Sequence, residues 1–451
     1  MAGPVTTNVP SGAGLRARAG RWALDGAVGC LDNSGRPVTG PVEVVVENGV
    51  IKSITPVVGW SPTGIQSGAP PSGGSGQGEG LVLVPTFANG HDHGRGGGNV
   101  AAGIADGPLE EWIASLKDAP RTSQEELVGD ACALMLASGV GSSVICVNPQ
   151  SSDTRSEVSA AAAAVLGKGA RAAIVYPFAD AFGDVDGRVR DEPGWSDEEL
   201  ARRLDDFEQV AHEYDDPCLD FQLGPVGPQW VSESTLAAIG EYALRTQRRI
   251  HMHLLESRAQ RRWADATYPE GIVGFLEKIG CAGPHVAFAH GTQLRDDELV
   301  ALAALGSTVI VNTSSNMRLC SGIPPLAALH DCGVAFGAGL DGLALGDLGD
   351  YWQELRMLRG VLQAQTGRVA DADMLFERLY SSGVTALGRC APTRPEPGAL
   401  ADFLLVNVDG YRHLLQPGRW SAAEVAIAVG TPARTVEVWV AGECVKSGSR
   451  S

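Results

Sequence analysis

The feature that most constrains this chain is an alternation that starts near residue 81 and runs to about residue 340. Short apolar runs recur at residues 81–84, 140–147, 171–178, 219–226, 250–255, 286–290, 308–312 and 334–339. Runs this short, bounded by turn residues, read as strands buried on both faces. Most are preceded by a helical stretch, as at 125–137, 157–166, 197–213, 233–245 and 296–304. Eight strands alternating with helices specify an α/β chain closed into a (β/α)8, TIM-like barrel. An open doubly wound sheet would want a glycine-rich phosphate turn after its first strand, and Gly94-Arg95-Gly96-Gly97-Gly98 does not match that fingerprint.

The 451 residues exceed what the barrel needs. Residues 1–20 are small, polar and aperiodic, and are expected to be disordered. Residues 21–80 hold short strands, a hairpin signal at Asn48-Gly49 and a Gly/Ser/Pro-rich excursion from 59 to 80. The barrel is expected from 81 to 395, with a helical region at 351–387 near its end. From 396 to 451 the pattern is again strands and turns, expected to pair with the N-terminal strands. The small domain is then a β-sandwich built from both termini.

A barrel carries its active site at the C-terminal ends of its strands. The first strand leads into His91-Asp92-His93, and in extended chain residues i and i+2 project to one side. The fifth carries His251, His253 and Glu256, the sixth ends in His290, and the eighth ends in Asp341. Five of the nine histidines thus gather on three strands near one end. A catalytic divalent metal wants three or four N/O ligands and an open position for water. His91, His93, His253 and Asp341 would supply three imidazoles and a carboxylate. Glu256 and His290 are then free to manage protons at the same mouth.

A net charge of −18 disfavours nucleic acid and anionic membranes as partners. The apolar segment 131–147 is interrupted by glycine and serine, and reads as helix end, turn and strand. Nine cysteines with no CxxC pair argue for a reducing compartment, so a cytoplasmic location is expected. The first twenty residues have no apolar core of a secretory signal.

The motifs LVLVPTFANGHDHGRG, HMHLLES, FAHG, NTSSNMRLCSGI and GLDG occur in this order. In this the chain resembles the amidohydrolase superfamily, in its mononuclear cytosine-deaminase/chlorohydrolase-like branch. The resemblance spans nearly everything from Arg21 to Gly448. It implies His91, His93, His253 and Asp341 as metal ligands, the HxxE spacing selecting His253 over His251. It implies Glu256, His290 and Asp341 as the catalytic groups. Binuclear members carry a bridging lysine after strand 4; here that strand leads into Pro225-Val226-Gly227-Pro228-Gln229-Trp230, so one metal per chain is expected. Zinc is the first choice and ferrous iron the alternative. A homodimer is the family expectation.

The implied reaction is hydrolytic deamination of an N-heterocyclic small molecule. Metal-activated water attacks a ring C=N carbon, Asp341 and His290 orient that water and take its proton, and Glu256 protonates the ring nitrogen and then helps the leaving group. The alternative is hydrolysis of a cyclic amide, or of a halogen or alkylamine substituent on a triazine-like ring. A non-catalytic scaffold would have lost ligands, and all are kept here. Arg95, Gln229, Trp230 and Asn316 are the candidate substrate contacts. Each has a plainer reading: Arg95 ordering its glycine-rich loop, Trp230 packing in the core, and Ser315 and Asn316 capping the next helix. His251 reads as a hydrogen-bonded interior histidine and His285 as structural. His212, His330 and His413 lie in helical or loop contexts, and Cys320 has no adjacent base. Many purine-type deaminases of the branch have Pro-His where this chain has Pro225-Val226, which argues against adenosine-type and guanine substrates.

Overall fold

The computed structural model describes residues 18–57, 80–95, 103–119, 122–181, 194–342, 349–415 and 419–447. The expected disordered segment 1–20 and excursion 59–80 lie almost wholly outside these residues.

Eight parallel strands form one sheet in chain order. They are β1 (Phe87–Asp92), β2 (Val140–Cys146), β3 (Arg171–Phe178), β4 (Leu219–Pro225), β5 (Ile250–Leu254), β6 (Val286–His290), β7 (Thr308–Val311) and β8 (Ala335–Ala338). β1, β2, β5, β6 and β7 are buried along their whole length. That is the condition of parallel strands with helices on one face and a packed interior on the other. Ladders join each neighbour from β1 to β8. The last seam closes differently: among the described residues no ladder joins β8 to β1. Instead Asp341 N–H donates to the His91 carbonyl at 3.0 Å, Leu340 N–H to Asn89 Oδ1 at 2.9 Å and Gly342 N–H to Asp92 Oδ2 at 3.2 Å.

The helices begin where the sequence supplies caps. Ser196, Ser232, Ser257 and Asp371 each accept a bond from the backbone N–H three residues on. The helix Gln124–Ser138 ends at Gly139, whose φ of 99° is a left-handed conformation. A Cβ at Gly139 would also lie 2.6 Å from Leu404, so both backbone and packing require glycine there.

Three further sheets make the small β region, the smallest being the antiparallel pair Cys30–Leu31 and Pro37–Val38. Gly20–Leu24, Val42–Glu47 and Val50–Pro56 form one, antiparallel throughout. Asn48 and Gly49 both take positive φ, 52° and 79°, as a tight hairpin turn demands. The five-stranded sheet runs Glu443–Ser447, Thr435–Val440, Phe403–Asn407, Leu81–Pro85, Gly26–Ala27. Trp22 of the three-stranded sheet packs edge to face on Phe403 and Trp439 of the five-stranded one, at 5.5 and 5.4 Å, and those two rings stack on each other.

That order corrects one expectation. Residues 81–84, read as the first barrel strand, belong to the five-stranded sheet, where Leu81–Pro85 pairs antiparallel with Phe403–Asn407. A strand covered on both faces has the same all-apolar sequence in either setting. Pro85 has no N–H to continue a ladder, and the chain turns at Thr86 into β1. The barrel keeps eight strands because Phe87–Asp92, too mixed in polarity to read as a strand, takes the first place. No helix among the described residues is long and apolar enough to cross a membrane.

Candidate active site

The C-terminal ends of β1, β5, β6 and the residues just after β8 converge on one point. His91 and His93 project to the same side of the end of β1. Their Nε2 atoms lie 3.1 and 3.3 Å from Asp341 Oδ1. His253 Nε2 lies 3.2 Å from His93 Nε2. Two sets, His91–His93–His253 and His91–His290–Asp341, can each offer one ligand atom per residue within 4.8 Å of one another. His251 lies deeper in the barrel, 1% exposed, with Nε2 2.8 Å from His91 Nδ1.

Three buried atoms at this point have no hydrogen-bond partner: His91 Nε2, His290 Nε2 and Asp341 Oδ1. Buried polar atoms are ordinarily satisfied, so three orphans facing one another call for an occupant. Ligands on a tetrahedral ion at 2.0–2.1 Å stand about 3.3 Å apart. The separations of 3.1, 3.2 and 3.3 Å match that spacing. The donor set of imidazole and carboxylate suits zinc or ferrous iron. His91, His93, His253 and Asp341 therefore fit a divalent metal.

The other ring nitrogens are held from behind. His253 Nδ1 donates to the Val226 carbonyl at 2.6 Å, leaving its Nε2 lone pair facing the centre. His93 Nδ1 meets the Asn148 amide at 3.2 Å. His290 Nδ1 meets the amides of Asn316 at 2.9 Å and Asn312 at 3.2 Å. Ser315 Oγ donates to Asp341 Oδ2 at 2.6 Å. His290 and Asp341 are also strained, with φ of 73° and 59°. Non-glycine residues hold such angles only where the surroundings enforce them, often at working sites.

Burial pushes His93 and His290 well below the usual histidine range and His253 to about 4, so these imidazoles are neutral, the ligating form. Burial also opposes charge on Asp341, but its contact with His91 outweighs that and holds it well below the carboxylate range; His91 in turn is raised to about 10, burial being outweighed by Cys146 and Asp341. Glu256 goes the other way. It is 2% exposed, and burial, reinforced by the Asp341 charge, raises it well above the usual value. Its Oε2 is 3.5 Å from His290 Nε2, and its Oε1 accepts from Ser321 Oγ at 3.3 Å. One mouth thus holds an ionised carboxylate and a carboxyl that keeps its proton.

The expected substrate contacts fare unequally. Trp230 lies beside the site, its ring 6.3 Å from His253, and the buried amide nitrogen of Gln229 has no partner. Arg95 lies over the Trp112 ring at 5.3 Å. Trp112 is in the helix Leu109–Ser115, which Leu109 N–H ties to the Leu319 carbonyl and Glu110 to the Ser257 hydroxyl. Asn316 is fully buried, with its amide 2.9 Å from His290 Nδ1. The same turn, Thr313–Arg318, aims Ser315 at Asp341. Asn148, Asn312, Ser315 and Ser321 in these supporting roles escaped the sequence reading. The available signal was a polar residue just past an apolar strand, which also marks ordinary caps. His285 donates to the Gly280 carbonyl at 3.0 Å, away from the centre.

With this geometry established, known proteins place the chain. The Amidohydrolase family profile matches residues 82–445. A 5-methylthioadenosine/S-adenosylhomocysteine deaminase of Thermococcus kodakarensis is 30% identical over 336 residues, 73% of this chain and 74% of that one. An adenosine deaminase of Xanthomonas campestris with bound zinc superposes at TM-score 0.73 and 21% identity, over 95% of this chain and 92% of that one. Zinc-complexed atrazine chlorohydrolase of Arthrobacter aurescens gives 0.74 and 19%, over 95% of each. The chain belongs to the amidohydrolase family, metal-dependent hydrolases that act on carbon–nitrogen bonds.

Proposed function

We propose that this enzyme is a hydrolytic deaminase of an N-heterocyclic small molecule, with one divalent metal per chain, zinc or alternatively ferrous iron. The ligands are His91, His93, His253 and Asp341. The observation that carries the proposal is the convergence of three orphaned buried atoms beside the buried carboxyl of Glu256, whose Oε2 is 3.5 Å from His290 Nε2. When bound, the ion supplies a water whose pKa is lowered toward neutrality. Asp341, steadied by Ser315, and His290, steadied by Asn316, hold that water and take its proton. Glu256 donates its proton to the ring nitrogen next to the attacked carbon. The proton collected by Asp341 and His290 passes to the amine, which leaves as ammonia, and the proton of the added hydroxyl returns to Glu256 as the ring carbon becomes a carbonyl.

The substrate is a flat aminated heterocycle, with Trp230 offering a ring face and Gln229 an amide. The names of the relatives favour an adenosine-like compound. Val226 speaks against a copy of the purine-type pocket, since it stands where many such enzymes place a substrate-touching histidine. Its carbonyl is spent instead on His253. That observation keeps a second reading, hydrolysis of a cyclic amide or of a triazine-like ring substituent, by the same water. The units we propose are a barrel of residues 81–395 and a small β domain of 21–80 and 396–451, with strand Leu81–Pro85 lodged in the latter's sheet. A homodimer in the cytoplasm, where nine unpaired cysteines would stay reduced, completes the reading.

The test is ammonia release from aminated adenosines, pyrimidines, pterins and triazines by protein of measured metal content. One member should release ammonia, and chelation should abolish it. Glu256→Gln should keep the metal and lose turnover by roughly 100-fold or more. Normal turnover in that variant would refute the proton shuttle, and release of chloride or alkylamine without ammonia would select the second reading.

A further inference from the structure

We propose that Glu354, outside the metal centre, is a positioning residue: its carboxylate caps the helix Thr313–Arg318 and so fixes Ser315 against Asp341 and Asn316 against His290. The inference rests on the reading of Asp341 and His290 as working groups.

The helix has six residues, too few to hold itself. It starts directly after β7, and the cap position is Asn312. Asparagine there ordinarily turns its side chain onto the first N–H groups. Asn312 makes no such bond: its Nδ2 is turned onto His290 Nδ1 at 3.2 Å, and its buried Oδ1, the atom that would cap, has no partner among the described residues. The N–H groups of Thr313 and Ser314 donate to Glu354 instead, at 2.6 Å to Oε1 and 3.2 Å to Oε2.

Glu354 reaches them from the first turn of the helix Tyr351–Thr366, itself fixed by an Asp350 cap on Trp352 N–H at 3.0 Å. Glu354 is 1% exposed and has no basic partner among the described residues. A buried carboxyl without a counter-charge is costly to ionise: burial raises the pKa of Glu354, and the hydrogen bonds that oppose this come from Ser314 and Thr313 of this one turn. Division of labour explains the cost. With a glutamate from the helix Tyr351–Thr366 as cap, the Asn312 Nδ2 is left to His290.

Ser315 and Asn316 are successive residues of that turn, each 0% exposed. One contacts Asp341 Oδ2 at 2.6 Å and the other His290 Nδ1 at 2.9 Å. A displacement of the turn spoils both contacts together, and small misplacements of catalytic groups are expensive.

Glu354→Gln is the test variant, since it keeps volume but removes the charge and puts an NH2 donor where one of the two acceptor oxygens faces a backbone N–H. On the heterocycle that the parent deaminates, kcat should fall roughly 10- to 100-fold, with KM within about threefold. One metal should be retained, and the visible spectrum of the cobalt-substituted protein should shift as Asp341 reorients. Combined with Ser315→Ala, the loss should stay near that of Glu354→Gln alone, because the Ser315 contact is already among those that Glu354→Gln loosens. In a crystal structure of Glu354→Gln, the Ser315 Oγ–Asp341 Oδ2 separation should exceed about 3.5 Å. An unchanged contact, a kcat within about twofold of the parent, or losses that multiply in the double variant would each overturn the proposal. Failure of the functional reading looks different: the parent itself retains no cobalt and releases no ammonia, and the crystallographic contact still decides the role of Glu354.

Discussion

Asp341 and Asp402 are both buried aspartates, at opposite ends of the barrel. Asp402 lies where the start of β3 meets the small sheets. Its Oδ2 accepts from Arg171 Nη2 at 2.8 Å, from Thr393 N–H at 2.9 Å and from Thr393 Oγ1 at 2.8 Å, and its Oδ1 accepts from Ala441 N–H at 2.7 Å. Asp341 at the mouth has one oxygen on Ser315, the other without a partner, and a left-handed backbone. The first carboxylate is matched in charge and saturated with donors. The second is crowded, strained and half unsatisfied. Local rules are broken at one end of the barrel and kept at the other, as expected where a site has been fitted into a stable scaffold.

The largest expected effect separates the two directly. Asp341→Asn should cut kcat by about 100- to 1,000-fold or more, from loss of an ionised group at the reacting centre. Asparagine tolerates left-handed φ, but the depressed pKa of Asp341 means that its ionised form is held by its partners, so stability against urea should fall by about 1 kcal/mol, far less than for Asp402. A large loss of stability with activity intact would make Asp341 a structural residue like Asp402.

The converse is Asp402→Asn, which strands Arg171, 6% exposed, without its counter-charge. Removing one partner of a buried pair costs about 3–5 kcal/mol, read as a lower urea midpoint, while kcat of the folded protein should stay within about twofold. An activity loss at unchanged stability would break the comparison from the other side.

The sequence disclosed these two ends unequally. The β3 and β6 bounds and the helix Asp197–Glu213 appear as expected, because short apolar runs and a capped amphipathic helix are local signals. His91, His93, His253, His290 and Asp341 were legible because strand-end positions and residue chemistry coincide. Leu81–Pro85 was not, since an apolar run records burial on two faces and says nothing of which sheet it joins. Asn316 and Glu354 were hidden for a related reason: their partners, His290 and Thr313, are 26 and 41 positions away. Only the closed barrel brings them together.

Asp180 sharpens the comparison by separating location from satisfaction. It follows β3, on the same rim as Asp341, yet it is saturated: Thr235 Oγ1 donates at 2.6 Å, Ser232 N–H at 2.7 Å, Ser232 Oγ at 2.8 Å and Trp195 N–H at 3.0 Å. Burial opposes its charge, but the Thr235 hydroxyl and the Ser232 and Trp195 N–H groups outweigh that and lower its pKa. If satisfaction decides the role, Asp180→Asn should leave kcat within about twofold and cost about 1–2 kcal/mol of stability at pH 7. The folded-state pKa lies below the unfolded value of about 3.9. The stabilisation is therefore fully present above about pH 4 and is lost as pH falls through the folded value. The gap in urea midpoint between parent and variant should be full-sized at pH 7 and shrink below about pH 4. A gap that widens on acidification, or a loss of turnover with no gap at all, would mean that position on the rim and not the count of donors sets what a buried aspartate does here.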